Sequence, residues 1–170
     1  MEQGKEASTI DPTIDSGRAL LRHTLATLAY RGGKALREAP ESFAGFQASE
    51  TARTPNQILS HLGDLFVWSL SMCKGKPVWQ NAEPKPWPEE VKRFFQTLQD
   101  FDDYLASSQP LAAPMEKIFQ GPIADALTHV GQINILRRLA GCPVRAENYF
   151  AADIVTGRVG ERQSAPVREF

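Results

Sequence analysis

Thr54-Pro55-Asn56-Gln57-Ile58-Leu59-Ser60-His61-Leu62-Gly63-Asp64-Leu65-Phe66 opens the segment whose reading decides the fold. Thr54 carries the short oxygen-bearing side chain favoured at a helix N-cap. Pro55 suits the first helical position, and Gln57 completes a capping box. Ile58, His61, Leu62, Leu65, Phe66, Ser69, Met72 and Cys73 then recur at helical spacing, and Gly75 and Pro77 end the run. Start, apolar stripe and stop of one amphipathic helix therefore lie in a single stretch.

The same grammar extends outward from this helix. Residues 1–14 read as a flexible arm, and Ser16 as the cap of a first helix that runs to about Leu36. Leu21, Leu25 and Leu28 mark its buried side, and Gly32-Gly33 weakens its end. Glu38 to Arg53 reads as a packed loop or a short hairpin around Phe43 and Phe46. Lys76 to Pro88 holds Pro77, Pro84, Pro86 and Pro88, too many prolines for regular structure. Its Trp79 and Trp87 are expected to anchor it over the bundle end, lining a cleft mouth. A third helix begins near Pro88, with Val91, Phe94, Phe95, Leu98, Phe101, Asp102 and Leu105 on one side. After a break over Ser107–Pro114, a fourth begins at Pro122 and ends with Arg137, Arg138, Gly141 and Pro143. A short C-terminal helix is expected around Ala146–Ile154. No run alternates well enough for a sheet. The chain is thus expected to be all-α, a four-helix bundle with a short C-terminal helix, as one domain over 15–170.

Bulk properties exclude several function classes. The 170 residues suffice for one domain with a real core. Nineteen basic residues oppose twenty acidic ones, so charge makes no case for nucleic acid or an anionic membrane. No apolar run approaches the roughly 20 residues of a membrane span. The polar start, Met1 to Ser16, lacks the apolar core of a signal peptide. Two cysteines, Cys73 and Cys142, make no disulfide framework; they read as free thiols in a reducing cytosol and as small packing residues.

Of three histidines, His61 lies in the apolar stripe of the second helix, and His129 follows Asp125 by four in the fourth. A separation of four puts Asp125 and His129 on one face, one turn apart. Two imidazoles and a carboxylate from two helices suit a divalent zinc, nickel or iron ion and leave coordination positions open. A cation would also offset the cost of burying Asp125. The alternative is a buried His61–Asp125 pair without an ion, in a bundle that binds a ligand or partner without catalysis. Gln132 shares a face with His129 and can fix its tautomer. Asp64 turns toward the edge of its stripe, where metal-assisted hydrolysis would use it as a base. His23, beside Arg22, reads as a surface or helix-packing residue.

These pieces resemble the DinB-like superfamily of metal-binding four-helix proteins. The carrying stretches are Ile58-Leu59-Ser60-His61-Leu62-Gly63-Asp64 and Thr128-His129-Val130-Gly131-Gln132-Ile133 with Leu136-Arg137-Arg138. Gly141-Cys142-Pro143 with Asn148-Tyr149-Phe150 completes the match, which spans about residues 15–155. The resemblance implies a bundle with up-down-down-up connections, often dimeric. It implies a metal held by one histidine on the second helix and two, four apart, on the fourth. His61 and His129 match the first and last of these. Asp125 stands where the family has a histidine, so a two-histidine, one-carboxylate site is expected here.

Characterised members include thiol-dependent S-transferases and a thiol-dependent maleylpyruvate isomerase. The resemblance therefore implies a low-molecular-weight thiol, whose pKa a bound cation lowers, together with a small-molecule substrate. Trp68, Trp79 and Trp87 would wall an electrophile. Arg137 would anchor a cofactor carboxylate or, alternatively, face solvent at the helix end.

Overall fold

The apolar stripes fold as four rods in the computed structural model, which describes residues 12–170, with side chains described from residue 16. They are α1 (Pro12–Leu36), α2 (Pro55–Cys73), α3 (Trp87–Ala106), and a fourth built in three parts. That fourth rod joins α4 (Met115–Ile118), a π turn (Phe119–Ile123) and α5 (Ala124–Leu139). No strand occurs among the described residues, and none of their helices is long and apolar enough to cross a membrane.

Local signals account for most boundaries. The Thr54 hydroxyl accepts from Gln57 N–H at 3.2 Å, while the Gln57 side chain accepts from Thr54 N–H at 2.9 Å. Both halves of the expected capping box are therefore present. In α1 the helix is under way from Pro12, a residue pre-set for a first turn, so Ser16 lies inside it rather than capping it. Of the arm expected over 1–14, residues 1–11 lie outside the described residues and 12–14 are helical. α1 runs on through Gly32 to Leu36. A Cβ at Gly32 would lie 2.5 Å from Phe94 Cζ, so the glycine lets α3 pack close. Glu41–Gly45 forms one 3₁₀ turn that buries Phe43, which settles the packed loop over the hairpin.

Two further expectations about helices fail. The fourth rod starts at Met115, not Pro122. Pro122 has no N–H to give and crowds the preceding turn of an α-helix; widening that turn to π lets the rod continue through it. The C-terminal helix is absent from Ala146–Ile154. Tyr30 Oη donates to Glu147 Oε1 at 2.6 Å and Lys34 Nζ to Glu147 Oε2 at 2.7 Å. Glu147 also bridges antiparallel to Glu169, so the tail is pinned extended on α1.

Contacts between the rods fix their directions. Arg22 pairs with Asp102 and Gly32 meets Phe94, so α1 and α3 are antiparallel. Gly17 meets Met115 and Arg137 meets Ala35, so α1 and the fourth rod are parallel. Arg93 reaches Ser60 and Tyr104 reaches Cys73, so α2 and α3 are parallel. The connectivity is up-down-down-up, with α1 and α2 at opposite corners and α3 and the fourth rod at the others. Asp102 fits the apolar stripe of α3 because Arg22 meets it with two 2.9 Å bonds.

Arg137 meets neither expectation for it. Only 4% exposed, it donates to Cys142 O at 2.7 Å, Ala35 O at 3.0 Å and Arg37 O at 2.8 Å. It clamps the ends of α1 and α5 together. Arg137→Ala would strand buried carbonyls and should lower the unfolding free energy by about 2–4 kcal/mol. Urea titration measures this; an unchanged midpoint would remove the clamp role.

Candidate metal centre

The fourth rod brings Asp125 and His129 against α2 at the level of His61. Asp125 Oδ2 lies 3.5 Å from His61 Nε2, and Asp125 Oδ1 lies 3.5 Å from His129 Nε2. One carboxylate thus turns an oxygen to each ring. The ring centroids are 4.8 Å apart at an interplanar angle of 86°. The three candidate ligands converge as their positions in sequence imply.

Exposure departs from expectation. His61 and His129 are largely covered, but the Asp125 side chain is 47% exposed. Its burial therefore costs little, and neither an ion nor a buried ion-free pair is required on that ground. The tautomer of His129 bears on the site instead. His129 Nδ1 lies 2.8 Å from Gln132 Oε1, and a carboxamide oxygen only accepts. Nδ1 is then the donor, and the Nε2 lone pair points at the Asp125 carboxylate. Lone pair and anion repel unless a proton or cation lies between them.

The donor set fits a divalent ion. Ligand bonds of roughly 2.0–2.2 Å in a tetrahedron set donors about 3.4 Å apart, close to each N···O separation taken singly, the two being to different oxygens of Asp125. All three donor atoms lie within 4.8 Å of one another, so the widest edge closes with a side-chain shift on the order of 1 Å. The His61 pKa is lowered, first by burial and then by His129. The hydrogen bond to Asp125 opposes this, and the positive charge of Arg53 adds to it. Lowering favours the neutral imidazole that a metal needs.

The three residues share a cleft of about 630 Å³ with Arg53, Ile58, Gln132, Ile135 and Leu136. The remaining candidates do not line this cleft. Asp64 is buried, paired with Arg93, and accepts Ala82 N–H at 3.0 Å. It does not turn to the edge of its stripe, and as a committed ion-pair partner it is not free to act as a base. Trp68 does not line the cleft. It packs edge-on against Trp79 at 5.6 Å, and Trp79 in turn against His61 at 5.6 Å. Trp79 therefore does border the site, whereas Trp87 packs on Phe43 away from it. Arg137 lies at the helix-end clamp, outside the cleft. Burial pushes the Cys73 thiol up to about 11, which suits a packing residue. His23 is exposed, 3.2 Å from Thr156 Oγ1.

Arg53 was not singled out in the sequence. The available signal was its place immediately before the Thr54 cap, at the end of α2 nearest the cleft. Comparison with family models, with curated proteins and with solved structures found no match to this chain.

The lowered His61 pKa has a consequence for stability. The unfolded chain, with an ordinary value of 6.5, takes up this proton before the folded one does. The contribution of a neutral His61 is full above that value and declines as pH falls through it toward the lower folded pKa. In chelator, wild type should therefore lose more stability between pH 7.5 and 5.5 than His61→Gln. Equal losses in denaturant titrations would show that His61 contributes nothing to the pH dependence.

Proposed function

We propose that this chain is a divalent-metal-dependent enzyme of the DinB-like kind, a thiol-dependent S-transferase with its ion held by His61, Asp125 and His129. One observation carries the reading: a single carboxylate at the wall of an open cleft faces the Nε2 atoms of two histidines from different rods. The resemblance of the α2 and α5 stretches to that superfamily, and the shared up-down-down-up connectivity, support it. Zinc, nickel and iron are the ions whose ligand preferences suit this set.

The bound ion would lower the pKa of a low-molecular-weight thiol and keep its sulfur a nucleophile at neutral pH. The residues of the chain supply the rest. Gln132 orients His129 through Nδ1, and Trp79 packs against the ring of His61. Ile58 and Leu136 give the cleft an apolar floor that suits a small electrophile. With Asp64 committed to Arg93, the hydrolytic variant loses the base that the sequence offered for it. In this reading the protein works in the cytoplasm as a homodimer on small molecules, not on nucleic acid or membranes.

Elemental analysis of protein purified without added metal tests the reading. The expected content is about one equivalent per chain. Chelation should lower the melting temperature by about 5–10 °C, because an ion bound only by the native state stabilises it. His129→Ala should abolish metal binding while far-ultraviolet circular dichroism stays unchanged; full metal content in that variant would refute the ligand assignment.

Asp125→His probes the one departure from the family pattern. A third imidazole at this partly exposed position should bind the ion at least as tightly as the carboxylate. Competition against a chromophoric chelator measures it. A loss of affinity of about tenfold or more would mean that position 125 does not correspond to the family's histidine.

A further inference from the structure

The cleft holds a second charged group that the ligand set does not use. Arg53 lines it, exposed, and its guanidinium has no hydrogen-bond or ion-pair partner among the described residues. The other ionisable residues lining the cleft are His61, Asp125 and His129. With neutral imidazoles, Arg53 and Asp125 cancel. A divalent ion then leaves its two positive charges unopposed in a space of about 630 Å³.

The remaining walls are apolar. Ile58 and Leu136 are buried at the floor, and Ile135 is 60% exposed at the rim. A cleft of this size accepts a small organic molecule. Its electrostatics favour an anion, and its walls favour a hydrocarbon body. A single guanidinium matches the two oxygens of a carboxylate in a bidentate fork. A phosphate, with more charge, would call for more than one free cation.

We propose that the cleft selects a small ligand carrying a carboxylate on a short apolar body, with that carboxylate on Arg53 and its sulfur or reacting end at the His61–Asp125–His129 centre. The inference rests on the metal reading above and adds the class of ligand. The carboxylate can belong to the thiol or to the electrophile; the recognition chemistry is the same. Arg53 is a specificity residue in this scheme and takes no part in the reacting bonds.

Cobalt-loaded protein, with mercaptopropanoate and its methyl ester as probes, separates the two readings. Thiolate–cobalt charge-transfer absorption reports binding. Wild type should bind the acid at least about tenfold more tightly than the ester, the worth of one charge-assisted contact. Arg53→Gln should erase that preference and leave ester affinity unchanged, and Arg53→Lys should restore part of it.

Equal binding of acid and ester by wild type, with hexanoate and methyl hexanoate also competing equally, would overturn the carboxylate inference and leave the metal reading standing. A preference that survives in Arg53→Gln would assign the carboxylate to the ion and overturn the role of Arg53. Bound cobalt with no charge-transfer band from either probe would overturn both the inference and the thiol chemistry, but not the metal site. Failure to bind cobalt at all would overturn the metal reading and this inference with it. To separate these outcomes from competing exposure of the electrophile, the same acid-to-ester comparison is made with hexanoate and methyl hexanoate as competitors of mercaptopropanoate. Stronger competition by hexanoate that vanishes in Arg53→Gln places the electrophile's carboxylate on Arg53.

Discussion

The phase of the fourth rod is the constraint on which the site depends. An α-helix continued straight through Pro122 would lose a hydrogen bond and clash with the preceding turn. The π turn over Phe119–Ile123 absorbs both problems by adding a residue to one turn. Everything beyond it is rotated relative to α4. Asp125 and His129 follow directly, one turn apart, and it is this rotated face of α5 that meets His61 on α2. A proline that would end most helices here sets the direction in which two side chains point.

A frame of buried ion pairs keeps the rods from sliding. Asp102 ties α3 to Arg22 on α1, Asp64 ties α2 to Arg93 on α3, and Glu147 ties the tail to Lys34 on α1. Each acidic member is almost fully covered. Such pairs contribute little net stability against an apolar replacement of the same shape, yet breaking one leaves a buried charge unpaired. Their effect is to penalise alternative registers. A site whose three donors come from two rods needs that fixed register more than it needs extra stability.

The bundle was legible because α2 announces itself at every level, from the Thr54–Gln57 box to the stripe that ends at Cys73. The stripe of α3 was equally plain. Local reading failed where a distant partner decided the outcome. Gly121-Pro122 looks like a helix start in isolation, since nothing local reveals that Met115–Ile118 is already helical and packed. Ala146–Ile154 carries helix-compatible residues, but Tyr30 and Lys34, more than a hundred positions earlier, hold Glu147 extended. Arg137 and Asp64 were visible as charges near the motifs. Their deciding partners, the Ala35 and Arg37 carbonyls and Arg93, are tertiary. The His61–Asp125–His129 set was legible because its two halves lie on helices whose faces the periodicity had already oriented.

The exposure of Asp125 changes how the site is to be understood. A buried carboxylate would have needed a counter-ion for its own sake, and the presence of a cation would then say little about reactivity. Here water already solvates the carboxylate from the cleft side, so the fold is not obliged to supply a charge. What remains unbalanced is narrower: a His129 lone pair held toward an anion by Gln132, beside a second imidazole whose burial disfavours protonation. A proton between His129 Nε2 and Asp125 would relieve that arrangement at one ring. A divalent ion relieves it at both rings together, and because Asp125 faces solvent the same ion would be reachable from the cleft. A geometry that would favour an ion would therefore also leave it open to a ligand.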